Sequence, residues 1–493
     1  MPSSLSPRLS LAPLFGDQAV LQRDRPLPVW GGAAPGESVA VTLRGRTERT
    51  VADSDGRWMV RFRPFAASSE PADLVAVGET AAVTARGVLV GDVWLASGQS
   101  NMEWPVSGVR QAAEEMSAAN FPLIRHLKVE RTVALAPSGI VPTGGWRTAS
   151  PQSVGDFSAV GYFFAREIHR KLGVPLGIVN STWGGTPVES WMSDAARRST
   201  SLGEKLEARW RQAMSEWPPE RVARYPSDMA TWEQAEAKAK ASGTPNPLVW
   251  PQPPATNDSP VLPGGLYNAM IAPLLPAALR GVLWYQGEAN VERPGEYAEL
   301  FAAMINSWRQ AWAQADLPFY FVQLANYRDT NATMGPSWPL LREAQAQALA
   351  LPATGMAVTI DIGQAEDIHP TNKQDVGRRL ALIAEAGTYG QPVDCSGPVF
   401  AGATPEGSAL RVRFKHTGSH LVAQGQQVQS LELAGADRIF HAATGAIEGA
   451  TLLVSSPAVP NPLTVRYAWT DAPTANLYNP AGLPAAPFRV DNC

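Results

Sequence analysis

Ser100 stands in the run Gly91-Asp-Val-Trp-Leu-Ala-Ser-Gly-Gln-Ser-Asn-Met102, where an apolar stretch stops and small and amide residues take over. A hydroxyl there fits an ordinary turn, since Ser, Gly and Asn favour turns for backbone reasons. It also fits a nucleophile presented where a sheet strand ends, the place where open α/β sheets hold their ligands. A serine nucleophile needs a base, and the base needs a group to orient it. Of the six histidines, His126 falls in a strand-like run, His169 on an amphipathic helix, and His416, His420 and His441 in a terminal β region. His369 is different, because DIGQAEDIHPTNKQDVG puts it after a strand ending at Asp361 and before a helix starting at Lys373. Asp367 lies two residues before it, beside Glu366. A carboxylate that near can hold one ring nitrogen protonated and leave the other to accept the serine proton.

Acyl transfer also needs hydrogen-bond donors aimed at the tetrahedral oxyanion, each worth about 10²–10³ in rate. Two further connections offer them. NSTWGGTPVESW carries Gly184 and Gly185, and WYQGEAN carries Gln286, Glu288 and Asn290. Any one of these loops is adequately explained as a strand-to-helix turn; all of them at strand ends point to one site.

The elements that position these residues fall into a β, α/β, β order. Residues 1–87 alternate apolar and polar positions between turn signals, with Asp55-Gly56 at a hairpin tip, and predict a small β-sandwich. From Val88 strands alternate with amphipathic helices, the mark of a largely parallel sheet covered on both faces. The expected strands are Val88–Ala96, Leu123–Val129, Leu176–Asn180, Gly281–Tyr285, Phe319–Leu324 and Ala357–Ile360. The expected helices are Ser158–Leu172, Glu296–Ala313 and Lys373–Ala386, the first and last followed by a stop glycine. An excursion at about 201–260 breaks the alternation with a charged helical piece, Met229–Lys240, and a proline-rich run. Residues 391–493 return to β patterning and predict a second β-sandwich or jelly roll.

The composition is that of a globular protein, 45% hydrophobic and 17% charged. A net charge of −4 without a dense basic run gives no ground for nucleic acid or an anionic membrane as partner. No apolar run reaches bilayer length. MPSSLSPRLS lacks a secretory pattern, so the expected location is cytoplasmic, or periplasmic or secreted if a leader has been removed. The two cysteines, Cys395 and Cys493, either pair or stay free thiols, and no Cys-x-x-Cys spacing calls for a metal. Sixteen tryptophans suit stacking on sugar rings, although core packing is the default for each.

The motifs Gly98-Gln-Ser-Asn-Met102, Trp183-Gly-Gly-Thr-Pro-Val-Glu-Ser-Trp191, Trp284-Tyr-Gln-Gly-Glu-Ala-Asn290 and Asp367-Ile-His-Pro370 together resemble the sialate O-acetylesterase family, a branch of the SGNH hydrolases. Flanking stretches agree, among them VLQRDRPLPVWG, LYNAMIAPLLP and NLYNPAGLPAAPFR, so the resemblance spans nearly the whole chain. It implies a flavodoxin-like three-layer α/β/α catalytic domain at 88–390, flanked by the two β-sandwich domains. It also implies hydrolysis of acetyl esters on sugar hydroxyls, without metal or organic cofactor, through an acetyl-enzyme. Carried onto these positions, Ser100 is the nucleophile, His369 the base and then the acid, and Asp367 the orienter. The Ser100 amide, a glycine amide at 184 or 185 and the Asn290 side chain would form the oxyanion hole. The broader SGNH pattern puts its aspartate three residues before the histidine, where Glu366 stands. Glu288 is a further candidate for the third position, and Gln286 an alternative to Asn290. Gln99 and Asn101 would fix the nucleophile turn. Met102 and Trp104 would wall an acyl pocket, and Trp104, Trp183, Trp191 and Trp284 would shape the choice of sugar. The contrasting reading is a carbohydrate-binding protein on the same fold without turnover. A general lipase is disfavoured because no Gly-x-Ser-x-Gly elbow is present.

Overall fold

A computed structural model describes residues 9–251, 253–328 and 337–490. Its central sheet is built from β1 (Ala82–Gly98), β2 (Phe121–Val129), β3 (Thr143–Ala149), β4 (Leu176–Thr182), β5 (Gly281–Tyr285), β6 (Phe319–Val322) and β7 (Thr354–Ala357). The strand order is β3-β2-β4-β1-β5-β6-β7, all parallel except the antiparallel edge pair β3–β2. Every residue of β4, β5 and β6, and of β1 from Val88 on, is buried, as expected of parallel strands covered on both faces.

The covering helices follow from local signals. α1 (Ser100–Glu103) is a single turn after β1. In α2 (Ala159–Leu172) the Ser158 side chain accepts from the Gly161 N–H at one end, and Gly173 at φ 67° ends the other. α3 (Pro294–Ala311) packs against α4 (Ser337–Gln347), and α5 (Lys373–Gly387) packs against α2. The close approach of α5 to α2 requires Gly377, since a β-carbon there would lie 2.6 Å from Phe163 Cβ. Strand alternation sends Trp94 and Trp284 to opposite faces of the sheet. Trp94 meets Phe164 of α2, while Trp284 meets Phe301 and Trp308 of α3.

β1 is 17 residues long and belongs to two regions at once. Its first half pairs antiparallel with Ser68–Val77, its middle pairs parallel with Val20–Gln22, and its last part sits between β4 and β5. The expected domain boundary at 87/88 therefore falls inside one strand. One apolar core runs continuously from Leu9 to Ala384. Gln22 and Arg23 reach across to the buried Asp92 of β1, which Arg280 also contacts at 2.7 Å.

The C-terminal residues form two antiparallel four-stranded sheets. One runs Val399–Glu406, Ala409–Lys415, Thr451–Ser455, Thr444–Glu448, and the other His441–Ala442, Leu431–Ala434, Thr464–Tyr467, Phe488–Val490. Side chains from both enter a second core, joined there by Val358 and Ile360. Those two residues were expected in the last catalytic strand. That strand instead ends at Ala357, and their apolar side chains are claimed by the neighbouring core.

The excursion at 201–260 contains two helices, Gly203–Ser215 and Pro219–Ser242. The second is longer than expected because Pro226, a usual breaker, lies inside it. The first is tied to α3 by Lys205 and Arg209 on Glu296, at 2.8 and 2.7 Å. Cys395 is half-buried, and Cys493 lies outside the described residues, so the open choice between a pair and two free thiols falls partly outside them.

Candidate active site

Ser100, Gly184 and Asn290 follow β1, β4 and β5, three adjacent strands of the sheet. Gly98 makes the exit from β1 feasible. It has φ 128°, and a β-carbon would lie 2.2 Å from the Tyr285 carbonyl oxygen. The next residue, Gln99, accepts from the amides of Gly287 and Ala289, both at 3.2 Å, and so ties the turn that carries Ser100 to the loop after β5.

His369 arrives from farther away. β7 lies three strand spacings from β1, about 14 Å, and residues 358–372 carry the imidazole back across that gap. The Thr359 hydroxyl donates to the Gln323 carbonyl, and the Gly363 amide donates to Asn326 Oδ1, which pins this path. At its end His369 Nε2 lies 2.8 Å from Ser100 Oγ. Trp104 stacks on the imidazole, with centroids 4.9 Å apart and planes 16° from parallel, while its own N–H donates to the Gly108 carbonyl.

The three carboxylates named for the third position have different surroundings. Asp367 Oδ1 accepts the backbone N–H of His369 at 2.8 Å. Glu366 is solvent-facing and paired with Arg328 at 3.0 Å. Glu288 Oε1 accepts from Asn101 Nδ2 at 2.5 Å, and its other oxygen is buried as well.

The two amides after β5 also separate. Gln286 spends both N–H bonds on the Thr186 carbonyl and Asn290 Oδ1, and its Oε1 accepts from Tyr297. Asn290 Oδ1 accepts from Val188 N and Gln286, while Nδ2 donates to Glu189 Oε2 at 2.9 Å. A primary amide has two N–H bonds, so Asn290 retains one beyond that to Glu189. Gly184 N–H donates to Glu103 Oε2 at 3.0 Å, and Glu103 Oε1 takes Arg131. Gly184 otherwise lies close against Ser100, since a β-carbon on it would be 3.1 Å from Ser100 Cβ. Gly185 is at φ 72° with open space above it. Trp183 is half-buried beneath the Arg131 guanidinium.

The remaining named residues are structural. Trp191 and Trp284 are fully buried in the core and do not face a ligand, which corrects their expected part in choosing a sugar. Met102 is likewise fully buried. His126 stacks on Phe157 and accepts from the Ser158 amide, and His169 Nδ1 lies 2.8 Å from the Val174 carbonyl oxygen.

Sequence reasoning passed over Lys373. This first residue of α5 is 0% exposed, and its ammonium donates to Asn101 Oδ1. Burial pushes the Lys373 ammonium down to about 7, against the opposing pull of Glu288 and Asp367. Burial pushes the Glu288 carboxyl up, offset in part by hydrogen bonds, including that from Asn101, and by the Lys373 charge. A lysine at a helix start is ordinarily solvated, and only the folded arrangement reveals its burial. Among the described residues no group of three His, Cys, Asp or Glu side chains is set to hold a metal ion, and no helix is long and apolar enough to cross a membrane.

A serine hydroxyl at a strand end lies in hydrogen-bond contact with an imidazole on a mixed α/β sheet, an arrangement that suits a carboxylic-ester hydrolase. The family model for carbohydrate esterase, sialic acid-specific acetylesterase, matches residues 250–384. Sialate O-acetylesterase of Rattus norvegicus is 31% identical over 94% of this chain and 90% of its own length. That of Homo sapiens is 29% identical over 93% and 88%. The crystal structure of a carbohydrate acetylesterase from Xanthomonas citri is 41% identical and superposes with a TM-score of 0.83, covering 98% of this chain and all of that one. The chain belongs to the sialate O-acetylesterase family.

Proposed function

We propose that this protein hydrolyses acetyl esters on carbohydrate hydroxyls through a Ser100–His369–Asp367 mechanism and an acetyl-enzyme. The observation that carries the reading is the 2.8 Å contact between Ser100 Oγ and His369 Nε2. His369 takes the hydroxyl proton as Oγ bonds to the acetyl carbonyl carbon, and the carbonyl oxygen becomes the oxyanion. Collapse breaks the bond to the sugar oxygen, which leaves with the proton now on His369. Water then repeats the cycle on the acetyl-enzyme, releasing acetate and restoring the serine.

Two donors suit the oxyanion. The Ser100 N–H lies at the first position of α1, where a helix supplies no acceptor, and Asn290 keeps one N–H after serving Glu189. The Gly184 N–H borders the same space but is engaged by Glu103, so its help requires turning from that carboxylate. Asp367 is preferred as the orienter because it already holds the His369 backbone, whereas Glu366 faces solvent and Glu288 serves Asn101.

The fold supports a three-layer SGNH arrangement at 88–390, with α2 and α5 on one face and α3 and α4 on the other. Under this reading 1–87 and 391–493 are β-sandwich domains flanking it. An inactive carbohydrate-binding protein is the weaker reading, because the serine–imidazole contact has no purpose in mere binding.

Acetate release from acetylated sialic acid, xylan, xyloglucan and 4-nitrophenyl acetate, wild type against Ser100→Ala, tests the function. Release from at least one acetylated sugar, with a loss of at least about 10³-fold in the variant, is expected. Equal rates for the two proteins would overturn the serine mechanism.

A further inference from the structure

We propose that Lys373 is a positioning residue for the nucleophile, holding the Asn101 side-chain amide in the one orientation that ties the three catalytic loops together. The proposal rests on the esterase reading above.

The Asn101 amide has a partner for each of its groups. Its Oδ1 accepts from Lys373, and its Nδ2 donates to Glu288 Oε1 at 2.5 Å and to the Ile368 carbonyl at 2.9 Å. Each partner belongs to a different part of the site. Asn101 follows Ser100 in the chain, Ile368 precedes His369, and Glu288 stands two residues before Asn290. One buried amide thus joins the nucleophile turn, the base loop and the oxyanion loop.

A primary amide can turn half a revolution and exchange its oxygen for its nitrogen. Here it cannot do so without loss. Lys373 donates to Oδ1, and the Ile368 carbonyl can only accept, so turning the amide would set its oxygen against that carbonyl. Lys373 on one side and Ile368 on the other therefore fix the amide in one sense. The charges acting on Lys373 are Glu288 and Asp367, both opposite in sign. The rings of Tyr285 and Trp104 lie 5.6 and 5.9 Å from its ammonium, and Trp104 is the ring stacked on His369. A lysine is almost never fully buried without such partners. These contacts join the starts of α1 and α5 to the segments before His369 and after β5, which argues for a role in geometry.

The test uses Lys373→Met, which keeps length and removes donor and charge. It also uses Lys373→Gln, which restores a neutral donor, and Asn101→Asp, which still accepts from Lys373 but cannot donate. For 4-nitrophenyl acetate, kcat is expected to fall about 10–100-fold in Lys373→Met with KM within about threefold, as for a displaced nucleophile. Lys373→Gln should recover part of the loss, and Asn101→Asp should lose a similar amount. Diisopropyl fluorophosphate, which bonds phosphorus to Ser100 Oγ with loss of fluoride, should label each variant fully but slowly. If Lys373→Met does not fold, the other two variants are read by the same measurements. Wild-type kcat in the variants, or wild-type labelling rates on a reduced labelled fraction, would overturn the proposal. A wild-type protein that neither takes the label nor releases acetate would instead overturn the esterase reading.

Discussion

The indole of Trp104 lies nearly parallel on the imidazole of His369, 4.9 Å away, while its own N–H is anchored on the Gly108 carbonyl. The indole's contact is thus made with the ring whose Nε2 faces Ser100. The stack fixes the plane in which Nε2 faces the serine. Trp104→Ala should lower kcat/KM about tenfold or more by loosening that plane, and Trp104→Phe should retain most activity. Steady-state kinetics on 4-nitrophenyl acetate decide this, and equal losses in both variants would count against stacking as the cause.

Asn290 and Gln286 are expected to part company on substitution. Asn290→Ala removes the amide with an N–H to spare and should cost about 10²–10³ in kcat. Gln286→Leu leaves the Thr186 carbonyl without its donor in the interior and takes one of two partners from each of Asn290 Oδ1 and the Tyr297 hydroxyl. Its main effect should be a loss of about 2 kcal/mol or more in unfolding free energy. Urea denaturation alongside kinetics separates the two outcomes.

The acidic partner of His369 is open to the same treatment. Asp367→Asn should lower kcat at least about 10²-fold by unsettling the imidazole, while Glu366→Gln, at a solvent-facing pair with Arg328, should change it less than about twofold. A large effect of Glu366→Gln with none of Asp367→Asn would move the orienting role one residue upstream.

His126 gives a pH dependence of stability distinct from catalysis. Burial, with smaller repulsion from Lys128 and Arg147, pushes its imidazolium down from 6.5 to about 3. The unfolded chain therefore binds the proton first as pH falls. The contribution of neutral His126 is complete above about pH 6.5 and shrinks by about 1.4 kcal/mol per pH unit until about pH 3. His126→Asn does not titrate, so its stability deficit relative to wild type should narrow on acidification from pH 7 to pH 4.5. A deficit independent of pH, measured by urea denaturation, would contradict the burial argument.

Much of this was legible in the chain because local chemistry marks it. Ser158 and Gly173 bound α2 as their cap chemistry requires, and the apolar run Gly281–Tyr285 is strand β5 residue for residue. Other features depend on distant partners. Val358 and Ile360 read as strand because they are apolar, yet the core that takes them is made by residues beyond 400. Pro226 hides a helix that continues through it. The edge strand Thr143–Ala149 carries two glycines, which blur its strand pattern in the sequence. Ser100 and His369 were legible as residue types at connections, whereas the closed amide network around Asn101 was not, because no spacing encodes which side chains meet.

The strand β1 leads over 17 residues from the amino-terminal region straight to Ser100. Its middle, Leu89–Gly91, draws its hydrogen bonds from Val20–Gln22. Shuffling the first ninety or so positions as a cassette between relatives would thus re-seat the rail on which the reactive hydroxyl is mounted. Grafts that respect the rail need to carry the segment through Glu103 together with whatever precedes it.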